Sequence, residues 1–110
     1  MIHRLTIGHL NPKAVQQRRV EILKPLDIET VQRLLTEHGG TDPDGSPTLG
    51  GAKANWHDGV ITVPWMGGRT NRAAEAFARH LADETGCVIA DVGHGRIVDA
   101  SAFPAPVRER

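Results

Sequence analysis

Lys53-Ala54-Asn55-Trp56-His57-Asp58-Gly59-Val60-Ile61-Thr62-Val63-Pro64 carries the densest structural signal in the chain. Asp58-Gly59 is a preferred pair for a two-residue type I′ turn, whose positive φ angles match the twist of the flanking strands. Alternating residues on both sides extend that turn into a hairpin over residues 53–64. Closure at Asp58-Gly59 sets His57 opposite Val60, Trp56 opposite Ile61 and Ala54 opposite Val63. Side-chain alternation gathers Ala54, Trp56, Ile61 and Val63 on one face, with Trp65 next in line. Asn55, His57, Val60 and Thr62 fall on the other. A sheet with one apolar face needs a second layer to cover it, and that requirement decides the fold class.

The covering layer is legible on either side of the hairpin. Upstream, Asp27 is placed to cap a helix whose stripe is Ile28, Val31, Leu34 and Leu35. Glu29, Arg33 and Glu37 follow at intervals of four on its polar side. Gly39-Gly40 stops it. Downstream, Thr70 or Asn71 caps a second helix that runs to about Thr85. Its buried stripe is Ala74, Phe77, Ala78 and Leu81, and Gly86 ends it. Arg72, Glu75, Arg79 and Asp83 form its solvated face.

Further strands complete the order. Residues 2–8 alternate Leu5 and Ile7 with polar neighbours, and Asn11-Pro12 ends that strand. Residues 13–19 show no clear period. Residues 19–23 read as a strand with Val20 and Ile22 on one face. Residues 39–52 hold five glycines and read as one long loop. Cys87 to Val92 is the most apolar strand and is expected to be central. Gly93-His94-Gly95 then turns the chain into a short strand over Arg96 to Val98.

The predicted order is β-β-α-β-β-α-β-β. It implies an α+β domain with a mainly antiparallel sheet of five to six strands and two amphipathic helices on one face. A ferredoxin-like variant is one such architecture. Residues 1–102 make the domain. Residues 103–110, beginning Phe103-Pro104-Ala105-Pro106, read as a loose tail because proline cannot donate to a ladder.

Composition narrows the function classes. The chain has 110 residues, 39% hydrophobic and 24% charged, suited to a single globular domain. Thirteen basic residues balance thirteen acidic ones, so the basic excess of most nucleic-acid binders is missing. Cys87 is the only cysteine, which rules out an intramolecular disulfide. No signal-peptide stretch or membrane-length apolar run is present. A cytoplasmic protein with no membrane contact is therefore expected.

Chemistry is hard to place from spacing. His3, His9, His38, His57, His80 and His94 include no His-x-His or His-x-x-x-His pair, so spacing predicts no metal site and no cofactor. His38 ends its helix, where a cation meets the dipole favourably. His57, Asp58 and Ser46, or His80 with Glu84, combine into catalytic sets only on paper. No Gly-x-Ser-x-Gly elbow occurs, and no catalytic residue is expected. Asp91 reads as an edge or end residue; facing the core, its pKa would rise.

The sharpest local signal is Pro64 to Arg72. A strand runs into glycines and then into a capped helix. Trp65, Met66, Gly67, Gly68, Arg69 and Arg72 are the candidate partner-binding residues. Trp and Arg are typical interface anchors, and Met adds adaptable apolar surface. Trp56 and Trp65 are expected in the core, but exposure of either would mark an interface. The expected function is non-catalytic docking to a protein partner, through Trp65 to Arg72 and the loop Thr41 to Gly51. Bacterial or phage accessory proteins of the inhibitor or immunity type have this profile. The alternative is a phosphorylated ligand or nucleic acid held at Gly67 to Arg72, where helix N–H groups and arginines favour anions. An unprotected sheet edge would also permit a homodimer.

Overall fold

The computed structural model describes residues 3–66 and 71–103. In chain order the elements are β1 (His3–Leu10), α1 (Pro12–Gln16), β2 (Ile22–Lys24), α2 (Ile28–His38), β3 (Gly40–Thr41), β4 (Pro47–Leu49) and β5 (Ala52–Lys53). They continue with β6 (Asn55–His57), β7 (Val60–Met66), α3 (Arg72–Thr85), β8 (Val88–Asp91) and β9 (Arg96–Val98). Single 3-10 turns lie at Val92–His94 and Ala100–Ala102.

The main sheet is antiparallel throughout, with strand order β6-β7-β1-β8-β9, and β2 pairs with the far end of β1. Strand β1 is the centre: Leu5 faces Val63 of β7, and Ile7 lies between Ile61 of β7 and Ile89 of β8. The sheet is thus a six-stranded α+β platform, as expected from the sequence. Antiparallel pairing of β1 with both neighbours makes β7 and β8 parallel to each other, with α3 joining them. The same reasoning makes β1 and β6 parallel, with α2 between them in sequence. Two interlocked split β-α-β units result, which is the ferredoxin-like connectivity extended by β9 at one edge.

Both long helices cover one face. Leu5, Ile7, Ile61, Val63 and Ile89 from the sheet share a core with Val31, Leu34 and Leu35 of α2. Ala74, Phe77, Ala78 and Leu81 of α3 complete it. Ile28, expected in the α2 stripe, stays exposed in the first turn. The capping chemistry differs between the two helices. Asn71 caps α3, its side-chain oxygen accepting from Ala74 N at 3.1 Å. Asp27 occupies the cap position of α2, but its carboxylate accepts from the Thr30 hydroxyl at 2.8 Å instead of from a backbone N–H.

The opposite face carries a smaller cluster of Leu10, Val15, Val60 and Ala90. Helix α1, which residues 13–19 do not announce, supplies Ala14 and Val15 to this side. Its start was readable in hindsight, because Asn11 accepts from Lys13 N at 3.1 Å and Pro12 sits in the first turn. The second strand begins at Ile22, later than expected, and leaves Val20 exposed before it.

Residues 39–52, read as a loop, contain the meander β3-β4-β5. Strands of two or three residues are too short to show a period. Asp42 accepts from Asp44 N at 3.0 Å and Ser46 N at 2.9 Å, which closes the first turn. Leu49 reaches the core and is fully buried. In the neighbouring hairpin, His57 opposes Val60 and Trp56 opposes Ile61, as expected. Ala54 leaves the ladder instead of pairing with Val63, because its N–H donates to Pro47 O at 3.1 Å. Phe103, expected at the head of the tail, is buried and belongs to the core.

The hairpin tip is also a tertiary contact. Asp58 (φ +50°) and Gly59 (φ +91°) form the left-handed turn, and Leu26 N donates to Gly59 O at 2.9 Å. A Cβ on Gly59 would lie 2.7 Å from the Pro25 Cα. Gly59→Ala combines strain at positive φ with this backbone clash. It should lower unfolding free energy by about 2 kcal/mol in a urea titration, where a neutral outcome would show that the tip is free to shift.

Candidate functional site

The segment singled out by sequence lies where β7 passes into α3. Trp65 is half-buried, and its Nε1–H donates to Glu75 Oε2 at 2.9 Å. Its ring meets Phe103 edge-on, with centroids 5.7 Å apart. Glu75, assigned to a solvated face, therefore anchors the indole. Arg79 of the same face reaches inward as well, its Nη1 donating to Phe103 O at 2.6 Å. Arg72 is exposed in the first turn of α3. Residues 67–70, and with them Gly67, Gly68 and Arg69, lie outside the described residues, as does the Met66 side chain.

Asn71 joins this segment to the glycine-rich region of residues 41–51. While capping α3, its Nδ2 also donates to Leu49 O at 2.9 Å and Pro64 O at 3.1 Å. One side chain thus ties the meander, the end of β7 and the start of α3 together. The two stretches expected to act together are adjacent in the fold. A cleft of about 430 Å³ lies beside the meander, between α2 and Gly40, Thr41, Gly45 and Pro47.

A second concave surface lies on the sheet face away from α2 and α3. It is a groove of about 640 Å³ lined by Thr6, Val20, Ile22, Trp56, Val60 and Thr62, among others. Helix α1 covers only part of this face. Val20 is 47% exposed and Trp56 38%. Trp56 was expected in the core by its register opposite Ile61; its place on edge strand β6 leaves it uncovered instead. His57 and Asp58 flank the groove, their side chains 3.3 Å apart and both highly exposed.

The third feature joins α2 to α3. His38 Nε2 lies 2.9 Å from His80 Nδ1, and the two rings meet edge-on. His80 Nε2 is 2.8 Å from Glu84 Oε2, one helical turn on. Glu84 is held in turn by Arg33, which also reaches Glu37 Oε1 at 3.4 Å. Glu37 Oε2 lies 3.9 Å from His80 Nδ1. Burial, with the neighbouring His80 adding to it, holds His38 below the usual imidazole value despite Glu37, so it is neutral at pH 7. Sequence reading paired His80 with Glu84 but gave His38 only a helix-end role. The i, i+4 spacing of His80 and Glu84 was the available signal; the approach of His38 is tertiary.

Asp91 closes strand β8, the end position expected of it. It is 2% exposed, at the end of an interior strand. Burial pushes its carboxyl up, but hydrogen bonds from His94 and Arg96 outweigh that and hold it below the usual carboxylate range. The carboxylate meets His94 Nδ1 at 3.0 Å and Arg96 Nη2 at 3.2 Å, bracing the turn between β8 and β9. Cys87 is buried, and burial raises its thiol, which disfavours the reactive thiolate.

Among the described residues, no helix is long and apolar enough to cross a membrane. No family model, no curated protein and no solved structure matches the chain.

Two substitutions check this geometry. Asn71→Ala removes a cap and two donated bonds at once and should cost about 2–3 kcal/mol, whereas Asn71→Asp keeps the cap and should cost less. Asn71→Asp unfolding in denaturant as wild type does would dismiss the amide's tethering role. For Asp91 the folded pKa lies below the unfolded value near about 3.9, so its stabilisation is complete above that value and is lost as pH falls through the folded one. Asp91→Asn should therefore cost about 2 kcal/mol at pH 7, and wild type and variant should converge at strongly acidic pH. A gap that stays constant with pH would contradict the pairing.

Proposed function

We propose that this protein is a non-catalytic binding protein that docks a protein partner. The observation carrying the reading is edge strand β6: on one side it borders a groove with apolar walls at Val20, Ile22 and Val60, and on the other, the face of Ile61, it exposes Trp56. An edge strand offers main-chain donors and acceptors to an incoming extended segment, and the groove next to it accepts that segment's apolar side chains. The occupant inferred is an extended, apolar stretch of another protein. Net charge supports this choice: with thirteen basic and thirteen acidic residues, the chain lacks the general basic excess that binds nucleic acid. Trp65, Asn71 and the meander lie apart from this groove, and the exposed Arg72 beside them is a candidate for secondary contact. An inhibitor or immunity-type role of a bacterial or phage accessory protein is the biological setting proposed for such a dock.

The test is capture of the partner from native lysate by wild type, Trp56→Ala/Val20→Asp and Arg72→Ala, each checked for fold by circular dichroism. Truncating an interface Trp typically costs about 2 kcal/mol or more, roughly thirtyfold in Kd. The expected result is one protein held by wild type and Arg72→Ala and lost by the groove variant. Retention by the groove variant with loss by Arg72→Ala would move the interface to the α3 end. Co-purified nucleic acid released by salt would replace protein docking with anion binding.

A further inference from the structure

We infer that His38, His80 and Glu37 form a binding site for one divalent transition-metal cation, of which Zn²⁺ is the natural occupant, across the seam between α2 and α3. One ligand atom from each of the three residues lies within 4.8 Å of the others. Two imidazole nitrogens on a common ion, each at about 2.0–2.1 Å, stand about 2.8–3.0 Å apart in octahedral geometry and about 3.3–3.4 Å apart in tetrahedral geometry. His38 Nε2 and His80 Nδ1, 2.9 Å apart, already match the first spacing and need only a small opening to reach the second.

The surroundings are those of a ligand set. A metal-bound histidine usually donates its other ring N–H to a carboxylate, which fixes the tautomer and raises ligand basicity. Glu84 stands there for His80, at 2.8 Å from Nε2, and Arg33 fixes Glu84 in turn. With its proton on Nε2, His80 turns the Nδ1 lone pair toward His38. The metal-free contact then requires His38 to donate from Nε2. The cation takes the place of that shared proton, and His38 moves its own proton to Nδ1, so its ring stays neutral. Glu37 is already oriented: Oε1 meets Arg33, and Oε2 faces His80.

The donor types choose the metal. Two imidazoles and one carboxylate suit Zn²⁺, Cu²⁺, Ni²⁺ or Co²⁺, whereas Mg²⁺ and Ca²⁺ prefer oxygen donors throughout. Phe77 lies beside His38, with ring centroids 6.4 Å apart, while Glu37 faces solvent. The ion would therefore keep an open position for water on its outer side. Bound there, it would clamp the last turn of α2 to the middle of α3, independently of the groove beside β6.

The full chain, freed of metal with chelator, would be titrated calorimetrically with Zn²⁺ in excess Mg²⁺, with thermal unfolding in parallel. One equivalent should bind, and Tm should rise by roughly 10 °C at a hundredfold excess over Kd. His38→Gln and His80→Gln should each weaken binding by at least about a hundredfold, and Glu84→Gln by about 10–100-fold. His57→Gln and His94→Gln serve as controls and should bind as wild type. Using both ligand variants keeps the test open if one of them folds poorly. Absence of stoichiometric Zn²⁺ uptake below millimolar concentration overturns the site. Binding by His38→Gln and His80→Gln at wild-type affinity also overturns it.

Discussion

Leu5 and Ile7 sit on the central strand with no solvent exposure, flanked by Val63, Ile61 and Ile89 from the strands on either side. Every other element takes its position from that patch. Helices α2 and α3 exist as a layer because this face must be covered, and their stripes meet over it. Neither helix is long enough to be secure alone in water, so the shared core is what holds them. Their closeness, in turn, brings Arg33, Glu37 and His38 of one against His80 and Glu84 of the other.

The two faces of the sheet are unequal in a way that shapes the surface. One is sealed by two helices of 11 and 14 residues; the other receives a single helix of five. Leu10, Val15, Val60 and Ala90 close part of this second face, and Thr6, Thr62 and His57 border the remainder. A short covering helix leaves a groove as a direct result of its length. The groove is therefore a property of the architecture more than of any one side chain.

Much of this was legible in the sequence wherever a period or a turn signal spanned enough residues. The Asp58-Gly59 hairpin, the Ala74-Phe77-Ala78-Leu81 stripe and the Gly86 stop all lie where the pattern put them. Failures cluster where elements are very short or where contacts are tertiary. Helix α1 and strands β3 to β5 have between two and five residues, too few to repeat a pattern. Trp56 followed the hairpin register faithfully, yet alternation cannot tell an edge strand from an interior one. For Asp91 the end position was legible, but its pairing with His94 and Arg96, which reach back from the next turn, was not. His38 and His80 are brought together only by the packing of α2 on α3. Of the Pro64 to Arg72 segment, Trp65 and Arg72 lie in the described part, and Glu75 holds the indole of Trp65 in place.

Strand β1 also has a temporal consequence. Its partners come late in the chain: Thr6 pairs with Thr62 on one side and Ala90 on the other. Pairings between such distant segments carry a loop-closure cost that must be met before the contacts repay it, and folding slows accordingly. During synthesis, Leu5 and Ile7 emerge ahead of both β7 and β8. This apolar strand face is then without its neighbours until they follow. A nascent chain of this kind is exposed to aggregation and to chaperone capture until β8 arrives. The same topology that makes the finished sheet well buried makes its completion nearly all-or-none.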